Sequence, residues 1–260
     1  MSDAKLINGD CIVEMQKLID EDVKVDMVLT DPPYGTTANN WDKILPFNEI
    51  WDKLNKLSTN ITTTMLFGSE PFSTQLKQSN FKDYEYDIYW IKNRSTGFVH
   101  ANNKPLKNLE LISVFSKGTT VHKGQSKNRM TYNPQGLIEI NKSVNAGHSK
   151  FGTMNGKRPS HKTEYVQKYT NYPKMTIEFD TVPTNKSVHP NQKPIELLEY
   201  LIKTYSNEND TVLDFTMGSG STGVACLQTN RNFIGIELDK KYYEIAEQRI
   251  NEAKAQRRLI

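Results

Sequence analysis

Apolar, β-prone runs recur toward both ends of the chain, and several are followed by a stretch whose apolar residues repeat at helical spacing. That alternation marks a parallel sheet covered by helices. It predicts strands at Val25 to Thr30, Ile61 to Phe67, Tyr84 to Ile91, Leu109 to Phe115, Thr211 to Phe215 and Asn232 to Ile236. Helices are expected over Ile12 to Ile19, Leu45 to Leu57, Pro194 to Tyr205, Ser221 to Gln228 and Lys240 to Gln256. In the last, Tyr243, Ala246, Ile250 and Ala253 recur on one face. Pro194 suits a first helical turn, where its missing N–H would have had no partner.

Between the two halves the pattern lapses. Residues 116–183 have few aliphatics and many Lys, Asn, Ser, Thr and Gly, with Glu139, Glu164, Glu178 and Asp180 as the only acids. Tyr132, Phe151, Tyr165, Tyr169 and Tyr172 are interleaved with cations that include Lys123, Lys127, Arg129, Lys157, Arg158 and Lys162. Cations with aromatics suit phosphate contacts combined with stacking on bases, and the named cations are the candidate nucleic-acid contacts. Composition alone also admits a plain solvated insertion. The expected organisation is 1–115 and 184–260 as two halves of one α/β domain, with 116–183 inserted.

A chain of 260 residues with 36% hydrophobic content can bury one sizeable core and carry a smaller appended region. No apolar run approaches the roughly 20 residues of a bilayer span, and the opening MSDAKLINGD lacks a secretory layout, so no membrane is expected and a cytoplasmic site is. Cys11 and Cys226 are too isolated for a zinc site or an obvious bridge, and the net charge of +3 says little about partners.

Two motifs carry chemistry. Asp31-Pro32-Pro33-Tyr34 directly follows a predicted strand, at the end where open α/β sheets place ligands. The prolines make a rigid turn. An exocyclic base amine is a poor nucleophile because its lone pair is delocalised into the ring. The Asp31 carboxylate and the Pro32 carbonyl are candidate acceptors for its hydrogens, stabilising the positive charge that develops on attack. Tyr34 is a candidate stacking surface for an extracted base. The second motif, VLDFTMGSGSTG, is a strand, a glycine turn and a helix start, and its Gly218-x-Gly220-x-x-Gly223 alone would also admit a nicotinamide or flavin enzyme. Glu237 at the end of the next strand is placed for ribose hydroxyls. Asp214 tilts the choice, since a carboxylate there suits an ammonium group and repels a pyrophosphate.

Together these segments resemble the β group of DNA amino-methyltransferases, in which the D-P-P-Y motif precedes the DNA-reading region and the cofactor glycine motif comes last. LINGDC, Phe67-Gly68, YWIKN, NLELISVFSKG and HPNQKP resemble further family segments, with Asn191 standing where the family usually has Thr. The resemblance implies a doubly wound, mainly parallel methyltransferase (Rossmann-like) sheet with one antiparallel strand, and S-adenosylmethionine as cofactor. It assigns cofactor contacts to Asp10, Cys11, Asp31, Phe67, His189, Asn191, Lys193, Asp214, Phe215, Thr216, Gly218, Ser219, Gly220, Ser221, Thr222, Glu237 and Leu238, and needs no metal. It implies methyl transfer to N6 of a flipped adenine in double-stranded DNA, in a bacterium or its phage, and admits a homodimer and a cognate restriction endonuclease. N4 of cytosine uses the same amine geometry and stays open, as does a DNA-binding protein with a vestigial site. Methylation of protein glutamine or RNA fits less well, because such relatives usually carry Asn at position 31 and place the glycine motif first.

Overall fold

The computed structural model describes residues 2–36, 42–120, 128–145 and 164–257. Along the chain run Ala4–Asn8 (β1), Cys11–Asp20 (α1), Val25–Thr30 (β2), Phe47–Leu57 (α2), Ser58–Gly68 (β3), Phe72–Ser79 (α3), Tyr84–Thr96 (β4) and Lys107–Ser116 (β5). Ile138–Asn145 (β6), Glu164–Thr170 (β7), Thr176–Phe179 (β8), Ile195–Tyr205 (α4), Thr211–Asp214 (β9), Ser221–Gln228 (α5), Asn232–Glu237 (β10) and Lys240–Arg257 (α6) follow. Each strand and helix expected from the pattern is present, with ends shifted by a few residues. Pro194 caps α4 from an extended conformation and does not lie inside its first turn.

Eight strands form one sheet in the order β1, β10, β9, β2, β3, β5, β4, β8. Within it β5 is antiparallel to β3 and β4, and the remaining pairings are parallel. β2 is buried on both faces, and a register shift between Val25 and Met27 puts these two residues in different cores. Met27 and Leu29 join a core with α4, α5 and α6, whereas Val25 and Val28 join a second core with α1, α2 and α3. A strand covered twice must read as a continuous apolar run, as VDMVLT nearly does.

The chain divides into two compact units, Met1–Asn133 with Met175–Ile260, and Pro134–Lys174. The polar segment 116–183 therefore belongs only in its middle to a separate unit. Its flanks supply Met130 and Ile177 to the main core, and β8 adds an edge strand to β4. Within the smaller unit β6 and β7 pair as an antiparallel ribbon. Lys123, Lys127, Lys157, Arg158 and Lys162 lie outside the described residues; Arg129 is exposed. Among the described residues no helix is long and apolar enough to cross a membrane.

Candidate active site

The strand order reverses direction between β9 and β2, the position at which an open α/β sheet leaves a crevice beyond its carboxyl ends. Met27 pairs with Val212 and Val28 with Leu213, so the two chemical motifs leave the sheet side by side. Thr216 of the glycine motif donates through its hydroxyl to the Asp31 carbonyl at 3.2 Å. Beyond them opens a cavity of about 510 Å³, a size suited to a small-molecule ligand. It is bordered by every residue assigned above to catalysis or cofactor, with the exception of Gly220.

Gly220 departs for a structural reason. It caps α5 in a left-handed conformation (φ +76°), and a Cβ there would meet the Ala246 Cβ at 2.8 Å, so this glycine lets α6 pack closely behind the loop. Gly218, also left-handed at φ +52°, does border the cavity, beside the His189 ring. Arg249 of α6 fixes the turn between them, donating to the Ser219 carbonyl at 2.5 Å and to the Ser221 hydroxyl at 3.2 Å.

On the glycine-motif side the groups are carboxylates. Asp214 is buried and accepts from the hydroxyls of Thr30 (2.7 Å) and Thr222 (2.6 Å) and from the Thr216 N–H (3.2 Å). Burial nevertheless pushes its carboxyl up to about 6, with the Asp31 charge adding to the rise, and among the described residues the donors it accepts from are neutral. Glu237 takes one backbone N–H on each oxygen, from Gly218 and Asp239, both at 2.8 Å, which fixes the plane of its carboxylate. Asp10 caps α1 through Oδ1, accepting from Ile12 and Val13. Cys11 has its thiol pushed up to about 12 by burial and is no nucleophile. Burial, with Lys193 nearby, lowers His189 to about 4, so its ring is neutral; it accepts the Asn191 N–H on Nδ1 and meets Tyr242 edge-on at 4.3 Å.

The catalytic-motif side holds an ionic network that sequence patterns did not reveal. The Asp31 carboxylate is bonded by Lys193 through one oxygen and by the Tyr34 hydroxyl through the other. Lys193 also reaches Glu110 at 3.1 Å, and Glu110 takes Lys92 at 2.5 Å and the Tyr34 hydroxyl at 3.0 Å. The partner of Lys193 is thus a pair of protein carboxylates. Burial acts to raise Glu110, yet Lys193 and Lys92 outweigh it and hold the carboxyl at about 2. Burial and the two acids push the Tyr34 phenol well above its ordinary value, so it remains a donor. One face of the Tyr34 ring stacks on Phe72 at 5.0 Å. The one available signal for Glu110 was an acid in phase with the core residues Ile112 and Val114 of an apolar strand.

Among the described residues bordering the cavity, six are acidic (Asp10, Asp31, Asp42, Asp214, Glu237 and Asp239) and Lys193 is the only lysine or arginine. Such a lining suits a cationic ligand with hydroxyls and offers a polyphosphate almost nothing.

Comparison with known proteins agrees with this geometry. The chain is 27% identical to the Type II methyltransferase M2.LlaDCHI of Lactococcus lactis subsp. cremoris, covering 95% of this chain and 89% of that protein. It is 27% identical to the Type II methyltransferase M.HpaI of Haemophilus parainfluenzae, over 96% and 74% of the two chains. Its fold matches the crystal structure of the M1.HpyAVI–SAM complex with a TM-score of 0.65 and 24% identity, over 95% of this chain and 99% of that one. Residues 25–248 match the DNA methylase family of N6 and N4 methyltransferases, and the chain belongs to that family.

Proposed function

We propose that the protein transfers a methyl group from S-adenosylmethionine to N6 of an adenine taken out of double-stranded DNA in the bacterial cytoplasm. The observation that carries this reading is the convergence of Asp31-Pro32-Pro33-Tyr34 and the Asp214 and Glu237 carboxylates on one cavity. The lining fits the cofactor: Asp214 is a buried carboxylate with no ion-pair partner among the described residues, suited to the ammonium of its amino-acid end, and Glu237 is a fixed acceptor suited to ribose hydroxyls. When bound, the sulfonium supplies an already activated methyl group. Asp31 and the Pro32 carbonyl accept the amine hydrogens and stabilise the charge that develops on nitrogen. A carboxylate has about four acceptor directions, so Asp31 can take the amine while Tyr34 and Lys193 hold its orientation. Tyr34, anchored by its hydroxyl and backed by Phe72, offers an aromatic surface to the base. DNA contacts are assigned to Arg129 and to Lys123, Lys127, Lys157, Arg158 and Lys162.

Incubating the protein with unmethylated DNA and methyl-labelled S-adenosylmethionine, then digesting to nucleosides for mass spectrometry, will give labelled N6-methyladenine. Label on N4 of cytosine would keep the mechanism and overturn the base; no label on DNA from several sources would overturn the reading.

Cofactor affinity will also depend on pH in a defined direction. With Asp214 at about 6, an ammonium ligand binds its ionised form, so affinity is full above that value and falls as pH drops through it, by up to about tenfold per unit. Calorimetric titration between pH 5 and 7.5 will show this slope, and Asp214→Asn will bind weakly with the slope removed. Equal slopes in both proteins would separate Asp214 from the ammonium.

A further inference from the structure

The β4–β5 hairpin rises from the carboxyl edge of the sheet, the edge that holds Asp31 and Asp214. Lys92 on β4 and Glu110 on β5 belong to the catalytic network at its base. From Lys92 the strand continues to Thr96, which pairs with Lys107, an extension of roughly 13 Å at about 3.3 Å per residue. There the left-handed Gly97 turns the chain, with open space where a Cβ would stand. Phe98–His100 form one 3₁₀ turn, in which Phe98 is 80% and Val99 92% exposed.

This tip is a built structure. The His100 N–H donates to the Gly97 carbonyl at 2.9 Å, the Ala101 N–H to Phe98 at 3.0 Å and the Lys104 N–H to His100 at 3.0 Å. Two large apolar side chains are thereby presented to water on a shaped support. The turn is flanked by cations: from Asn93 to Leu109 there is no acid, and Arg94 and Lys104 stand exposed on its two sides.

We infer that Phe98 and Val99 form an apolar wedge that enters the base stack of duplex DNA beside the target nucleotide, with Arg94 and Lys104 on the flanking phosphates. The inference rests on the reading that the target base leaves the duplex. A base in the cavity leaves a gap in the stack, and apolar side chains inserted at a base step unstack and kink the duplex. A protein partner fits less well. Two apolar side chains offer far less than the roughly 800 Å² per partner of a stable interface, and the charge of the flanking Arg94 and Lys104 matches phosphate.

Both residues are exposed, so Phe98→Ala/Val99→Ala will fold with an unchanged melting temperature and bind S-adenosylmethionine normally. A nicked circular plasmid, bound by protein and then resealed with ligase, reads insertion directly as a shift in linking number. Wild type and Phe98→Leu will underwind the circle. The double alanine variant will not, while retaining DNA binding within about threefold and methylating duplex DNA at least about tenfold more slowly. Equal underwinding by wild type and double variant, no underwinding by wild type, or an altered oligomeric state in the variant would overturn the wedge. Underwinding without methyl label from the wild type would instead overturn the methylation reading and leave the wedge standing.

Discussion

An Asp31→Ala protein will bind S-adenosylmethionine within about threefold of the wild-type affinity and methylate DNA about 10²–10³-fold more slowly. The separation follows from where the charges sit. Asp214 and Glu237, the acids proposed to hold the cofactor, end β9 and β10, whereas Asp31 follows β2. Removing the Asp31 carboxylate takes away the acceptor that would stabilise charge on the attacking amine, an interaction strongest in the transition state. The loss therefore falls on turnover. It does not strand a buried cation, since Lys193 keeps Glu110 at 3.1 Å. The variant will consequently melt close to wild type, which distinguishes lost chemistry from lost structure. Single-turnover methylation with saturating cofactor, alongside a cofactor titration, measures both quantities. Near-normal turnover would remove Asp31 from the chemistry, and a parallel collapse of cofactor affinity would make it a cofactor ligand first.

The cavity was legible in the sequence because its two motifs are local. Asp31 to Tyr34 and Asp214 to Ser221 each sit at a strand end, and a strand end at the reversal of an α/β sheet is where ligands bind. The network behind Asp31 was not legible. Lys193 stood out as the start of a helix, but its partner Asp31 is 162 positions away, and Glu110 reads locally as one acid in an apolar strand. Only the sheet register, in which Trp90 faces Glu110, brings Lys92 to it. At Gly220 the resemblance points to the cofactor, while the structure shows a second demand that the pattern does not reveal, the close packing of α6. Several of the elements that the pattern did not predict carry little apolar signal. α3 has only Phe72 and Leu76 as its large apolar pair, β8 is four residues long, and Lys92 to Thr96 is polar and held as strand by pairing with β5.

Glu110→Gln will lower stability by about 3 kcal/mol at pH 7, a fall in melting temperature of roughly 6–12 °C. Glu110 is almost fully buried and answers two lysines, Lys92 and Lys193, whose ammonium groups are largely withdrawn from water. Neutralising it leaves Lys193 to Asp31 alone and Lys92 without an ion-pair partner among the described residues. The pH dependence identifies the charge as the cause. Glu110 titrates at about 2 in the folded protein against an ordinary 4.5, so its contribution is complete above about 4.5 and is lost as pH falls toward 2. Breaking a buried pair by removing one partner costs about 3–5 kcal/mol. Urea unfolding at pH 7 and pH 3 will therefore show the wild-type advantage over Glu110→Gln shrinking in acid. A deficit of equal size at both pH values would trace it to packing or to the lost bond with Tyr34, and would take the ion network out of the account of how Asp31 is held.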